Sequence, residues 1–258
     1  MPNSRALVIK SIKKGETSLI VSCYLEDIGL QSFIVKGVFG SKKPKFSKAH
    51  FFPLNIINLN YSYREGKGIG FIKEVKSENL YKSLYSDIQK SSVTLFLSEV
   101  LNSVLKEEAE VNGDLFNFIL NSLYWYDQVK TCNNFHIKFL MELSKFIGFY
   151  PNIKNNDSYF SLDSGTSSKF KPLGISIEGN ELKEFKNFLG MKFEDLNLIN
   201  KLKKYHSNSK VIATGGLSHI FKNNVKSIDL IEQNLTINGL AYFYLSQEKD
   251  IWNLKKII

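Results

Sequence analysis

The sequence is poor in the residue types that most catalytic and metal centres use. Its two cysteines, Cys23 and Cys132, stand far apart with no Cys-x-x-Cys pair, which excludes a four-thiolate zinc site and favours two separate buried thiols. None of the four histidines has the spacing of a catalytic triad or a metal site. They are His50, His136, His206 and His219. We therefore expect no metal, no other cofactor and no enzymatic activity.

Long apolar runs are also missing. No window reaches about eighteen uninterrupted apolar residues, so no transmembrane helix is predicted. Near the N-terminus a four-residue apolar run, 6–9, lies between charges and is too short for a secretory signal. We expect a cytoplasmic, nucleoid-associated protein with no membrane partner. The 258 residues are 43% hydrophobic, which is enough for a core and for more than one domain.

Acidic residues are scarce in the first 76 positions, which contain five acidic residues and thirteen lysines and arginines. This stretch therefore carries +8 of the formal net charge of +9. A basic module joined to a nearly neutral remainder indicates a polyanionic partner, most simply a nucleic acid backbone.

The same stretch is predicted to be all β. Short β-branched and aromatic runs are separated by glycine-containing turns, and they cover 5–12, 17–26, 31–38, 51–63 and 69–76. Imperfect alternation within 54–63 indicates a β-bulge there. Five strands in a segment of this size favour a closed oligonucleotide-binding (OB) barrel as a first domain, 1–80.

Residues 36–52 between the third and fourth predicted strands hold five lysines and no acid. They also hold four aromatic residues: Phe39, Phe46, Phe51 and Phe52. Lysines neutralise phosphates and exposed rings stack on unpaired bases, so the loop is a candidate for binding without sequence preference. The alternative is a solvated lysine loop with Phe51 and Phe52 in the core.

Helical periodicity dominates the next part of the chain, and we predict an α-helical second domain over 81–200. The predicted helices cover 87–108, 114–129, 134–149 and 180–189, and Asp87 is a candidate N-cap. Their apolar stripes, which include Ile88 and Phe96, are interpreted as core. His136 is interpreted as a surface or capped histidine, and 150–180 as an irregular excursion.

Taken in order, the elements of residues 1–200 resemble the RecO family of DNA repair and recombination mediators, in its Bacteroidetes form. The matching stretches include IKKGETSLIVSCYLEDIGLQSFIVKGVFGSKK, NFHIKFLMELSKFIGFYPN and FLGMKFEDLNLI. The resemblance implies an OB barrel followed by a helical domain, binding and annealing of single-stranded DNA, and two protein partners. These partners are RecR and the C-terminal tail of single-stranded DNA-binding protein.

The resemblance also implies which residues contact DNA. The family's basic barrel surface carries over onto Lys10, Lys13, Lys36, Lys42, Lys43, Lys45, Lys48 and Arg64. Many members have a four-cysteine zinc knuckle after the third helix, but the corresponding stretch here, 150–170, has no cysteine, so zinc is not expected.

Residues 198–247 instead look like the C-terminal end of a type III pantothenate kinase. The distinctive string is VIATGGLSHIF, whose Thr214, Gly215 and Gly216 form the turn beside the nucleotide in that fold. The kinase's Asp-x-Gly-Asn phosphate-binding turn has no counterpart. We therefore interpret 201–258 as a short α/β remnant.

Together these observations predict an α+β multi-domain protein. The leading hypothesis is a non-enzymatic, single-stranded DNA-binding and annealing mediator. The alternative is an inactive phosphotransferase fragment related to the kinase. A third reading, compatible with the first, is an adaptor that binds an acidic peptide on the helical domain through Lys130, Lys138 or Lys145 and an apolar pocket.

Overall fold

The computed structural model describes residues 2–39, 46–63, 68–78, 81–107, 111–130, 132 and 134–196, together with two short strands at 212–214 and 230–232. The chain divides into two compact units, Met1–Ile199 and Asn200–Ile258, and each is considered by itself.

Five strands of the first unit form a closed barrel of order β1-β2-β3-β5-β4. They are β1 (Asn3–Lys14), β2 (Ser18–Leu25), β3 (Gly29–Val35), β4 (Ile56–Ser62) and β5 (Ile69–Ser77). Neighbouring strands are antiparallel except β3 and β5, which are parallel. The predicted OB-type barrel and its five strands are confirmed.

The barrel interior is filled by alternate residues of each strand, as the period of two requires. Phe33 and Tyr61 meet there edge to face with ring centroids 5.5 Å apart. The pairing of β4 with β5 shifts register between Asn60 and Tyr61, which confirms the predicted bulge. A second shift, between Val8 and Lys10 of β1, was not predicted.

The predicted strand 51–63 begins five residues late. Lys48–Phe51 is a short 3-10 helix, which the side chain of Ser47 caps by accepting from the N–H of Ala49. The backbone then passes through Leu54 with a φ of +60°, a left-handed conformation that strand residues do not adopt. Backbone hydrogen bonds join Leu54 and its neighbour to Val8 of β1, and this contact holds the turn in place.

Within the described residues, four helices follow the barrel: α1 (Ile88–Glu107), α2 (Gly113–Gln128), α3 (Phe135–Phe146) and α4 (Gly179–Gly190). All four were predicted to within three residues at each end. The side chain of Asp87 accepts from the N–H groups of Gln89 and Lys90 at 2.9 and 3.0 Å, so the predicted N-cap of α1 is confirmed.

The interpretation of the α1 apolar stripe as core is confirmed for Leu97, Leu101 and Leu105, which are buried, but was wrong for Ile88 and Phe96. Ile88 and Phe96 are 63% and 46% exposed, whereas four polar residues of the helix are buried. These are Lys90, Thr94, Ser98 and Asn102. Lys90 is buried because it donates to the C-terminal carbonyl groups of Asp127 and Val129 at 3.0 and 2.6 Å. The hydroxyls of Thr94 and Ser98 donate to carbonyls of α1 itself.

The interpretation of 150–180 as irregular was also wrong. It contains a sheet of order β7-β6-β8, built from β6 (Tyr159–Ser161), β7 (Thr166–Ser168) and β8 (Ser176–Glu178). Strands of three residues are too short to show a period in the sequence. The sheet is held to α4 by Phe160, whose ring centroid lies 5.2 Å from that of Phe185.

The helices contact the barrel through Tyr24, which is almost fully buried. Its ring centroid lies 5.9 Å from that of Phe116 in α2, and its hydroxyl donates to the carbonyl of Asn112. Arg5 extends this contact, because its guanidinium lies 5.8 Å from the Phe116 ring and its Nε donates to Glu78 at 2.9 Å. One side of the outer barrel wall is therefore covered by helices.

In the second unit, β9 (Ile212–Thr214) pairs in parallel with β10 (Leu230–Glu232). Thr214 is the last residue of β9, and the neighbouring Gly215 and Gly216 lie outside the described residues. Over the part of the chain that the structure describes, no helix has the length and apolar character needed to cross a membrane.

Candidate nucleic-acid interface

Lys13 and Lys48 meet at one aromatic ring. The ammonium groups of Lys13 and Lys48 lie 5.4 and 4.4 Å from the ring centroid of Phe39. Both lysines are exposed, and among the described residues neither has a carboxylate within ion-pairing distance. Two unpaired ammonium groups close to one ring raise the local positive potential, which favours binding of an anion nearby.

Lys36 lies at a second aromatic ring. It follows the last residue of β3, and its ammonium group is 5.6 Å from the ring centroid of Phe71 on β5. The Phe71 side chain is 44% exposed, so the ring and the charge are both open to a ligand. Exposed rings beside cations are the contacts that single-stranded nucleic acid uses.

Lys10 differs from the other predicted site residues because it is paired. Its ammonium group lies 3.3 Å from a carboxylate oxygen of Glu99 on α1. This partner reduces the charge that Lys10 offers to a phosphate. The pairing joins β1 to the helical part. It could not be found from the sequence, because the two residues are 89 positions apart.

The remaining predicted DNA-binding residues lie outside the described residues. These are Lys42, Lys43, Lys45 and Arg64. Their assignment to the interface stays a prediction.

Two of the four aromatic residues of 36–52 are not available for stacking. Phe46 and Phe51 are 6% and 2% exposed and belong to the barrel core. Phe52 is 46% exposed, but its ring packs edge to face against Tyr85 at 5.5 Å. The expectation of stacking rings therefore fails for Phe46 and Phe51, and the alternative that placed both Phe51 and Phe52 in the core holds only for Phe51.

Sequence reasoning missed three exposed residues of this barrel as site candidates: Phe71, Lys14 and Lys73. The string IGFIK carries apolar residues on both faces of β5, so alternation alone does not show that Phe71 points outward. The pairing of Phe71 with Ile34 on the neighbouring strand resolves the ambiguity.

The three helical-domain lysines predicted to bind an acidic peptide differ from one another in exposure and pairing. Lys138 is 2% exposed, pairs with Glu142 at 2.7 Å and donates to the carbonyl of Leu189 at 3.0 Å. It caps the C-terminal end of α4, so it does not contact a ligand. Lys145 is 45% exposed but pairs with the same Glu142, and Lys130 is exposed.

The titratable groups of the described residues give no sign of a catalytic centre. No cluster of three metal-ligand side chains occurs there. Burial lowers the pKa of His136, which is half-buried and whose ring packs edge to face on Phe96. Its buried Nδ1 has no hydrogen-bond partner within the described residues, so the expectation of a surface or capped histidine was wrong. Burial raises the pKa of the Cys23 thiol, which is fully enclosed in the barrel and therefore unreactive.

The fold and these contacts define an OB-type barrel protein with a basic, aromatic-bearing surface and an attached helical domain. Two family models match the chain, recombination protein O N terminal over residues 1–81 and recombination protein O C terminal over residues 85–200. The chain belongs to the recombination protein O (RecO) family.

Individual relatives agree with this assignment. The chain is 35% identical over 195 residues to the DNA repair protein RecO of Flavobacterium psychrophilum, a match covering 75% of this chain and 81% of the relative. It is 36% identical over 197 residues to that of Bacteroides fragilis, covering 74% and 81%. A third match, to that of Flavobacterium johnsoniae, is 31% identical over 237 residues and covers 89% and 97%.

Proposed function

We propose that this protein binds and anneals single-stranded DNA as a recombination mediator in DNA repair. The observation that carries the proposal is the placing of lysines beside aromatic rings of the OB-type barrel: Lys36 at the exposed ring of Phe71, and Lys13 and Lys48 at the partly buried ring of Phe39. Among the described residues, none of these three lysines is in an ion pair. Family membership supports it, since the relatives are named DNA repair proteins.

The mechanism is electrostatic and needs no bond chemistry. Lysines that contact phosphates release condensed counterions, which favours binding without regard to sequence. A strand held on a basic surface also repels a second strand less, because its phosphates are partly neutralised. Pairing of the two strands then meets a lower barrier.

The test is fluorescence anisotropy of a labelled single-stranded oligonucleotide over a salt series. Three lysines at the two rings are replaced together by glutamine: Lys13, Lys36 and Lys48. A matched control replaces three exposed lysines of the helical part: Lys106, Lys169 and Lys183. The first triple variant is expected to bind at least tenfold more weakly at low salt, and its slope of log affinity against log salt falls by about 2.

The control triple variant keeps the wild-type slope and affinity, although it loses the same charge. If both variants bind equally, only net charge matters and the barrel site is wrong. If the wild-type protein does not bind DNA at low salt, the proposed function is wrong.

RecR and the acidic C-terminal tail of single-stranded DNA-binding protein are the proposed protein partners. For the tail, exposed Lys130 is the remaining lysine of the three considered, since Lys138 is buried and Lys145 is paired. Calorimetric titration with the tail peptide tests this, and no heat of binding would contradict it. A cytoplasmic, nucleoid-associated location follows from the proposed activity.

No observation favours the kinase-related alternative for the C-terminal unit. The match to the Flavobacterium johnsoniae relative covers 89% of this chain and 97% of the relative, a share that necessarily includes residues beyond 200. This supports the view that residues after 200 correspond to the C-terminal part of the relative and not to a fragment of a kinase. Absence of Mg-ATP binding by the full chain is the expected result, and measurable binding would revive the alternative.

A further inference from the structure

Four apolar side chains lie side by side across the outer face of the barrel. The pairing registers align Ile12 of β1 with Ile20 of β2, Ile20 with Ile34 of β3, and Ile34 with Phe71 of β5. We call these four residues the apolar row. Ile12 and Phe71 are 52% and 44% exposed, and Ile20 and Ile34 are partly exposed. None of the four belongs to the interior core of the barrel.

The apolar row is contiguous, which sets it apart from scattered exposed apolar residues. Single exposed apolar residues are ordinary, but adjacent ones form a patch that marks a binding surface. With neighbouring strands about 4.8 Å apart, the four side chains extend over about 14 Å. Helices cover the outer wall at Tyr24. The apolar row lies four residue pairs further along β1 and β2, beyond the pair of Lys10 with Ser22.

A line of lysines runs beside the apolar row. Lys14, Lys36 and Lys73 each come two positions after a member of the row, so alternation places them on the same face. All three are exposed, and among the described residues none is in an ion pair. The contact of Lys36 with the Phe71 ring shows that the two lines are adjacent.

This arrangement of charge and apolar surface fits one kind of ligand. Single-stranded nucleic acid has flat apolar bases on one side and a regular line of negative phosphates on the other. A duplex offers the same phosphates but keeps the faces of its bases stacked inside. The apolar row can therefore contact a ligand only where bases are unpaired.

We infer that the apolar row receives unpaired bases of single-stranded DNA, with Phe71 as the stacking ring and Lys14, Lys36 and Lys73 on the phosphates. The inference rests on the proposed function and adds a reason why the protein would prefer single-stranded DNA to duplex DNA. Charge attracts any nucleic acid, whereas Phe71 distinguishes single strands from duplex.

The experiment compares three labelled ligands of equal length: oligo-dT, an abasic oligonucleotide with the same phosphates, and a duplex. The wild-type protein is expected to bind oligo-dT about tenfold or more tightly than the abasic strand, since stacking on one ring contributes a factor of this size. In Phe71→Ala that preference collapses toward one, while the salt slope is unchanged. Phe71→Tyr keeps a ring and restores the preference.

Phe52→Ala is the matched control, because Phe52 is similarly exposed but lies outside the apolar row. Thermal melting of each variant verifies that the barrel is folded, as expected for a residue that points away from the core. If Phe71→Ala is folded and keeps the wild-type preference for oligo-dT, the inference is wrong. An equal wild-type affinity for the dT and abasic strands also overturns it.

These failures are distinct from failure of the proposed function. If the lysine variants weaken binding but Phe71→Ala does not alter base preference, the protein binds DNA through phosphates alone. If the wild-type protein binds none of the three ligands, both the inference and the proposed function are wrong.

Discussion

Oδ1 of Asp127 accepts a 2.9 Å hydrogen bond from the buried backbone N–H of Leu84, 43 residues earlier in the chain. The same carboxylate accepts from the N–H groups of Lys82 and Ser83 at 2.9 and 2.8 Å. The segment that leaves the barrel is thus held to the end of α2 by one acidic side chain. An orphaned N–H in this buried turn is costly, so the position of the helices depends on Asp127.

The first prediction concerns Asp127→Asn. Burial acts to raise the pKa of Asp127, but hydrogen bonds from the three backbone N–H groups and the Ser83 hydroxyl outweigh it, so the pKa is lowered. A carboxylate whose pKa is lowered on folding stabilises the protein above its unfolded pKa of about 4, and this contribution is lost as pH falls through the folded value. We expect Asp127→Asn to lose about 1–3 kcal/mol of unfolding free energy at pH 7.

Urea denaturation at pH 7 and near pH 3 measures the free energy of unfolding of both proteins. The difference in this free energy between wild type and Asp127→Asn is expected to be smaller at the lower pH. Asp87→Asn is the control, because asparagine caps a helix as well as aspartate does and stability should change little. A free-energy difference between wild type and Asp127→Asn that does not change with pH would contradict a stabilising role for the ionised carboxylate.

The second prediction concerns the buried Lys138. Lys138→Met leaves the Leu189 carbonyl without its donor and removes one of the two ammonium partners of Glu142. We expect a loss of about 2 kcal/mol and faster hydrogen exchange in α4, because the end of that helix loses its cap. Lys145→Met is the control: it removes the exposed partner of the same carboxylate and should lose less than about 1 kcal/mol.

The third prediction tests the close packing of β3 against β5. A Cβ added at Gly70 would lie 2.8 Å from both a ring carbon of Phe33 and the carbonyl oxygen of Ser62. We therefore expect Gly70→Ala to destabilise the barrel by about 1–3 kcal/mol through overpacking. At Gly113, the first residue of α2, nothing lies within 4 Å of an added Cβ, so Gly113→Ala should be neutral or stabilising. Equal melting temperatures for the two variants would refute the packing argument.

The sequence predicts a structural element well when neighbouring residues in the chain determine that element. The five barrel strands and the four helices were predictable because their apolar residues recur with a period of two or 3.6 residues. The N-cap Asp87 was equally local. The sheet β7-β6-β8 was not, because strands of three residues carry no measurable period.

The candidate site was predictable in charge but not in detail. Clustered lysines in residues 1–76 indicated a basic barrel surface, but sequence could not show that Lys10 pairs with Glu99 on α1. Nor could it show that Phe46 faces inward while Phe71 faces outward, because both lie among apolar neighbours. Pairing between distant strands decides these orientations, and it is a property of the fold.

The last prediction uses the pair of Lys10 with Glu99, which lie 3.3 Å apart at the edge of the proposed DNA surface. Glu99→Gln removes the charge that neutralises Lys10 and leaves an amide of nearly the same shape. Because both side chains are substantially exposed, the stability of the protein should change by less than about 1 kcal/mol. Lys10 is then able to contact a phosphate, so single-stranded DNA binding should tighten and the salt slope should steepen by up to about 0.7. The double variant Lys10→Gln/Glu99→Gln should lose that gain, whereas a gain that survives in it would show that Glu99 acts by simple repulsion of DNA and not through Lys10.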